Sequence, residues 1–98
     1  MDIGKKINDI KAILIKEIDP DIIILFGSRA NGKSRNGSDI DLAIKTNKTI
    51  SFRKERKLRE KLDEAGGIYS IDLIFTDRVS KKFLKNIKGY GKVIYEKK

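Results

Sequence analysis

The chain contains no cysteine, no histidine and no tryptophan, and it has a single proline. Without cysteine there is neither a disulfide framework nor a thiolate metal site. Without histidine as well, any bound metal must be held by carboxylates, which selects hard ions such as Mg²⁺ or Mn²⁺ over zinc. No apolar run approaches the roughly 18 residues of a membrane span. The N-terminus lacks the basic stretch and apolar core of a secretion signal. These absences point to a cytoplasmic protein with no membrane partner. At 98 residues the chain is expected to form one domain, 1–98, burying only about 65% of its unfolded surface.

Charge is what the sequence has in excess. Charged residues make up 38% of the chain, with a net +9, against a usual share of about 25%. Such a balance can attract nucleic acid or the phosphates of a nucleotide. It also suits a well-solvated, Lys- and Ile-rich, heat-adapted surface. The basic residues are scattered along the chain, which favours the second reading.

Residues 27–42 organise the rest. The apolar run Ile22-Ile23-Ile24-Leu25-Phe26 ends in Gly27-Ser28, and after a spacer of ten residues comes Asp39-Ile40-Asp41-Leu42. A Gly-Ser turn suits phosphate, because glycine lets backbone amides approach closely and a following helix N-terminus favours an anion. Two aspartates at i and i+2 of a strand point to one side, roughly 6.6 Å apart. They offer oxygen ligands to divalent metal beside those phosphates.

Gly27 to Ser34 also matches the Walker A phosphate loop, G-x-x-x-x-G-K-S. That loop must open a long helix. Here Ser34 is followed by the turn-rich Arg35-Asn36-Gly37-Ser38 and then a strand pattern, so the helix has no room.

What the residues resemble is the nucleotidyltransferase superfamily of DNA polymerase β, and especially its minimal nucleotidyltransferase (MNT) branch. The resemblance rests on Gly27-Ser28-Arg29-Ala30, on Ser38-Asp39-Ile40-Asp41-Leu42, and on a third acid, Asp72, within Ser70-Ile71-Asp72-Leu73-Ile74-Phe75. It extends from about Asp21 to Glu96. It implies an α/β fold with a small mixed sheet flanked by helices. It further implies that Asp39, Asp41 and Asp72 are the catalytic acids, holding two Mg²⁺ ions (Mn²⁺ as the alternative). Gly27 and Ser28, with Arg29, would hold the nucleotide, ATP. Lys33 and Arg35 are equally readable as phosphate contacts or as a solvated loop.

The remaining segments read as support. Ile3, Ile7, Ile10, Leu14 and Ile18 recur at helical spacing up to the break Asp19-Pro20-Asp21. Ser51 to Ala65 is a second helix, stopped by Gly66-Gly67. Its segment 53–61 carries six basic and two acidic side chains and is the best candidate for an anionic contact, although a solvated face is favoured. Asp72 sits in an otherwise apolar strand, and a buried carboxylate there needs a partner. Ser80 caps a last helix with Phe83, Leu84 and Ile87, ended by Gly89 and Gly91. Val93-Ile94-Tyr95 forms an edge strand.

Larger superfamily members carry extra domains that select the acceptor, and this chain has none. MNT proteins usually pair with a separate helical protein, HEPN, often an RNase toxin. The resemblance therefore implies an antitoxin that transfers AMP from ATP to a tyrosine hydroxyl of a HEPN partner. Its own Tyr69, Tyr90 and Tyr95 are expected to pack rather than be modified. Two alternatives remain open at this point: a non-catalytic antitoxin acting by contact, and a basic nucleic-acid-binding module.

Overall fold

The computed structural model describes residues 3–26, 40–67 and 69–97. Helix α1 (Ile3–Ile18) follows the isoleucine-leucine stripe. Ile10, Leu14 and Ile18 are buried, with Ile7, Ile13 and Ile15 packed around the same core. Asp19 ends the helix with φ +44°, in the left-handed region that aspartate tolerates better than most residues. Its N–H still bonds the Ile15 carbonyl at 3.2 Å, and Pro20 then leads the chain away.

Strands β1 (Ile22–Phe26) and β2 (Ile40–Lys45) come next, followed by α2 (Phe52–Gly66) and β3 (Ile71–Phe75). A 3₁₀ turn (Thr76–Arg78), α3 (Lys81–Tyr90) and β4 (Lys92–Glu96) complete the order. The sheet runs β3-β2-β1-β4. Strand β1 is antiparallel to both β2 and β4, while β2 and β3 are parallel. A parallel pair needs a crossover, and α2 supplies it. The expected mixed sheet flanked by helices is therefore the fold observed.

The expected cap at Ser80 forms, and Ser51, read as the first residue of the second helix, is its N-cap instead. Ser51 accepts from the Lys54 N–H at 3.2 Å and Ser80 from the Phe83 N–H at 3.1 Å. Helix α3 differs from expectation in its end point: it runs through Gly89 and stops at Gly91, whose N–H bonds the Ile87 carbonyl at 2.6 Å.

Alternation along the strands sorts two cores. Ile40, Leu42 and Ile44 join Ile23, Leu25, Leu73 and Phe75 on the face covered by α1 and α2. On the other face Ile24 and Ala43 pack against Ile87 of α3, with Ile22, Phe26 and Ile74 around them. The continuous apolar run of β1 is thus explained, since that strand is covered on both sides.

Ion pairs tie the elements at their ends. Asp19 accepts from Lys97 at 2.7 Å and Lys48 at 3.3 Å. Those bonds hold its carboxyl below the usual range. Glu55 of α2 is nearly buried. Burial pushes its carboxyl up, but hydrogen bonds from Arg78 and Arg59 pull it down further, and the net displacement is below 4.5. Arg59 also donates to the Leu73 carbonyl at 2.8 Å, covering part of the open edge of β3.

A depressed carboxylate stabilises the fold above its unfolded value and loses that contribution as pH falls through its folded value. We therefore expect Glu55→Gln to cost about 1 kcal/mol at neutral pH, given that both arginines are partly exposed and screened. In acid titrations followed by circular dichroism, the difference between variant and parent should shrink below about pH 4.5. A constant difference would mean the glutamate acts through packing alone.

Candidate active site

Asp41 is the second residue of β2 and Asp72 the second of β3, and the parallel register pairs them directly. Neighbouring strands lie about 4.8 Å apart, and side chains in register leave the sheet on the same face. Phe26, the last residue of β1, lies opposite Asp41 on its other side. The three residues therefore form a row across the sheet, where β1 finishes and β2 and β3 begin. This is the face that α3 covers. Two residues further along, Ala43 and Ile74 already belong to the α3 core, whereas Asp41 is half-buried and Asp72 exposed.

Exposure of Asp72 corrects the expectation that an apolar sequence neighbourhood buries it. Its strand is an edge strand, and the helix covering this face centres on Ile87, close to Ile24 and Ala43. The side chain consequently meets solvent, and no buried charge calls for a partner. Its neighbours Ile71 and Leu73 are apolar because they face α2, not because the whole strand is enclosed.

The described residues thus bring together two of the three predicted acids. Asp39, Gly27, Ser28 and Arg29 lie outside them, as do Lys33 and Arg35. Among the described residues no group of three or more metal-capable side chains gathers. The pair that is present still fits a divalent cation. The donor set is all oxygen, as Mg²⁺ and Mn²⁺ require.

An aromatic wall flanks the acids, and sequence reasoning did not anticipate it. Phe83 of α3 meets the Phe26 ring edge-to-face, with centroids 6.3 Å apart. Phe83 remains 41% exposed although it sits on the apolar side of its helix. Only the register, which sets Phe26 beside Asp41, could have revealed this contact. Tyr69 and Tyr95 are partly buried against the main core, as expected of packing residues. The side chain of Tyr90 lies outside the description.

No helix among the described residues is long and apolar enough to cross a membrane.

Comparison with known proteins agrees with this geometry. A Haemophilus influenzae protein named "Probable protein adenylyltransferase MntA" is 32% identical over 85 residues, covering 86% of this chain and 75% of that protein. A crystal structure of a toxin-antitoxin with AMP-PNP superposes with a TM-score of 0.81 at 27% identity, covering 93% of this chain and 73% of the other. A structure of the tri-AMPylated Shewanella oneidensis HEPN toxin in complex with MNT antitoxin shares the fold, with a TM-score of 0.76 at 24% identity over 96% and 72% of the two chains. The family described as "Polymerase beta, Nucleotidyltransferase" matches residues 8–98. With the sheet order and this match in agreement, the chain belongs to the polymerase β nucleotidyltransferase family.

Proposed function

We propose that this chain is a protein adenylyltransferase that transfers AMP from ATP to a tyrosine hydroxyl of a HEPN-type toxin, and so acts as its antitoxin. The observation that carries the reading is the parallel register that sets Asp72 beside Asp41 on an accessible face. The relatives support it: one is named an adenylyltransferase, and another was crystallised as a toxin-antitoxin with AMP-PNP. Residues 1–98 act as a single transferase domain in this reading, working in the cytoplasm where ATP is at hand.

Asp39, Asp41 and Asp72 would hold two Mg²⁺ ions, or Mn²⁺, which when bound supply positive charge to the attacking and leaving oxygens. Gly27 and Ser28 hold the outer phosphates, with Arg29 as a further contact. Asp72, at the sheet edge, is more open to an incoming protein than the half-buried Asp41. Its carboxylate takes the proton of the acceptor hydroxyl. The tyrosine oxygen then bonds the α-phosphorus as the bond to the β-phosphate bridging oxygen breaks, and pyrophosphate leaves with that electron pair. The half-buried position of Asp41 and the Phe26–Phe83 wall keep water from one side of this centre.

The test uses α-labelled ATP, Mg²⁺ and a HEPN-type partner protein. Label should appear on a partner tyrosine, located by peptide mass spectrometry. A stable complex that neutralises the toxin without any label would replace the enzymatic reading with inhibition by contact.

A further inference from the structure

The scattered basic residues of the sequence do not stay scattered in the fold. A groove runs between the C-terminal end of α1 and the N-terminal half of α2. One part, of about 270 Å³, is lined by Ser51, Arg53, Lys54, Lys57 and Lys61 with Glu17. A second part, of about 230 Å³, shares Glu17 and Lys54 and adds Lys16 and Lys48. Six cations therefore line two adjoining depressions. Its acids are already neutralised: Glu17 pairs with Lys61, and Asp19 with Lys48 and Lys97. Among the described residues no carboxylate pairs with Lys16, Arg53, Lys54 or Lys57, all of which are exposed.

Geometry selects the ligand. Arg53, Lys57 and Lys61 stand four residues apart on α2, a rise of about 6 Å per step, close to the interval between successive phosphates of a nucleic-acid strand. The N-terminal end of α2 adds its own positive potential. A protein partner would need an apolar or aromatic anchor at the centre of the contact. Among the described residues the large apolar side chains lining the two parts are Leu58, Ile18 and Ile50, and all three are buried. The exposed large apolar residues Phe52, Phe83 and Val93 do not line either part.

From this we infer that the α1–α2 groove binds the phosphodiester backbone of a nucleic-acid strand. It lies on the face of the sheet opposite Asp41 and Asp72, because α1 and α2 cover the Ile40, Leu42 and Ile44 side. This binding is consequently separate from nucleotidyl transfer and does not depend on it.

The test is fluorescence anisotropy of the full chain with labelled RNA and DNA oligonucleotides of about 20 nucleotides, between about 50 and 200 mM KCl. Four phosphate contacts on a single strand predict a log–log salt slope of about −3. The double substitution Arg53→Ala, Lys57→Ala should bring the slope to about −1.5 and weaken binding by about 10-fold or more at the lowest salt. Lys81→Ala, Lys82→Ala on α3 carries the same change in net charge and should leave the slope near −3 and the affinity within about 2-fold. Comparable RNA and DNA affinities, or tighter RNA binding, both fit backbone recognition and report whether the 2′-hydroxyl contributes. No binding at about 50 mM KCl would overturn the inference. So would equal losses in the two double variants, or displacement by polyglutamate as effective as by unlabelled oligonucleotide.

Discussion

Asp41→Asn and Asp72→Asn should each lower AMP transfer by about 10²–10⁴-fold, the range lost when one charged participant leaves such a centre, while the chain stays folded. Asparagine keeps the size of aspartate, removes the charge and turns one acceptor oxygen into an NH₂ donor. Asp72 is exposed on an edge strand, so its replacement disturbs no packing. In register with Asp41, it should relieve a like-charge neighbour and leave thermal stability unchanged or slightly raised. Stability and activity therefore move in different directions, which a structural role could not produce. The kinetic split is informative as well. Loss of a group that acts on the acceptor proton lowers kcat with little change in KM for ATP, whereas loss of phosphate binding raises KM. Asp72→Asn is expected to follow the first pattern. If it instead melts at a clearly lower temperature, with activity falling in proportion, Asp72 is a structural residue and the acid pair is not the reacting centre.

Most of the fold was legible because local rules and tertiary packing agree. The isoleucine stripe of α1 predicts both the helix and its buried face, and Ser80 caps α3 as its position suggested. The doubly buried β1 was readable from its unbroken apolar run, and the alternation of β2 correctly placed Asp41 opposite Ile40 and Leu42. Asp72 shows where that reading stops. A carboxylate between two apolar residues looks the same whether its own side of the strand is covered or open, and only the strand order decides. Arg78 was equally unreadable: it hydrogen-bonds Glu55, 23 residues away, and lies over the Phe75 ring at 4.8 Å. No local pattern marks such a pair. The basic groove belongs to the same class, since it forms only when α1 docks beside α2. The sequence did single out α2 as basic, but it could not show that Lys16 and Lys48 line the adjoining depression.

Gly91→Ala should be the most damaging single methyl group that can be added to this chain's described core. The glycine has an ordinary φ of −82°, so the constraint is space rather than backbone conformation. A β-carbon there would stand 2.5 Å from the Ile87 carbonyl oxygen, 2.7 Å from Ile24 Cγ2 and 3.3 Å from the Leu25 carbonyl oxygen. Two of those three atoms are backbone and cannot rotate away. Ile24 and Ile87 form the small core that docks α3 on the acid-bearing face, so relief requires the end of α3 to lift from β1. Overpacking of this kind costs about 3 kcal/mol, and in a domain of this size that lowers the melting temperature by about 12–24 °C. Gly89, two residues earlier and inside α3, has nothing within 4 Å of its added β-carbon. Gly89→Ala should therefore stabilise by about 0.5–1 kcal/mol through helix propensity alone. Opposite shifts from the same substitution at neighbouring positions would locate the strain at the α3–β1 contact. Because Phe83 and the acid row share that face, the Gly91 variant should also lose transfer activity at temperatures below its own melting point. Equal, small shifts at both glycines would mean that α3 rests on the sheet loosely, and that the wall beside Asp41 is not fixed by it.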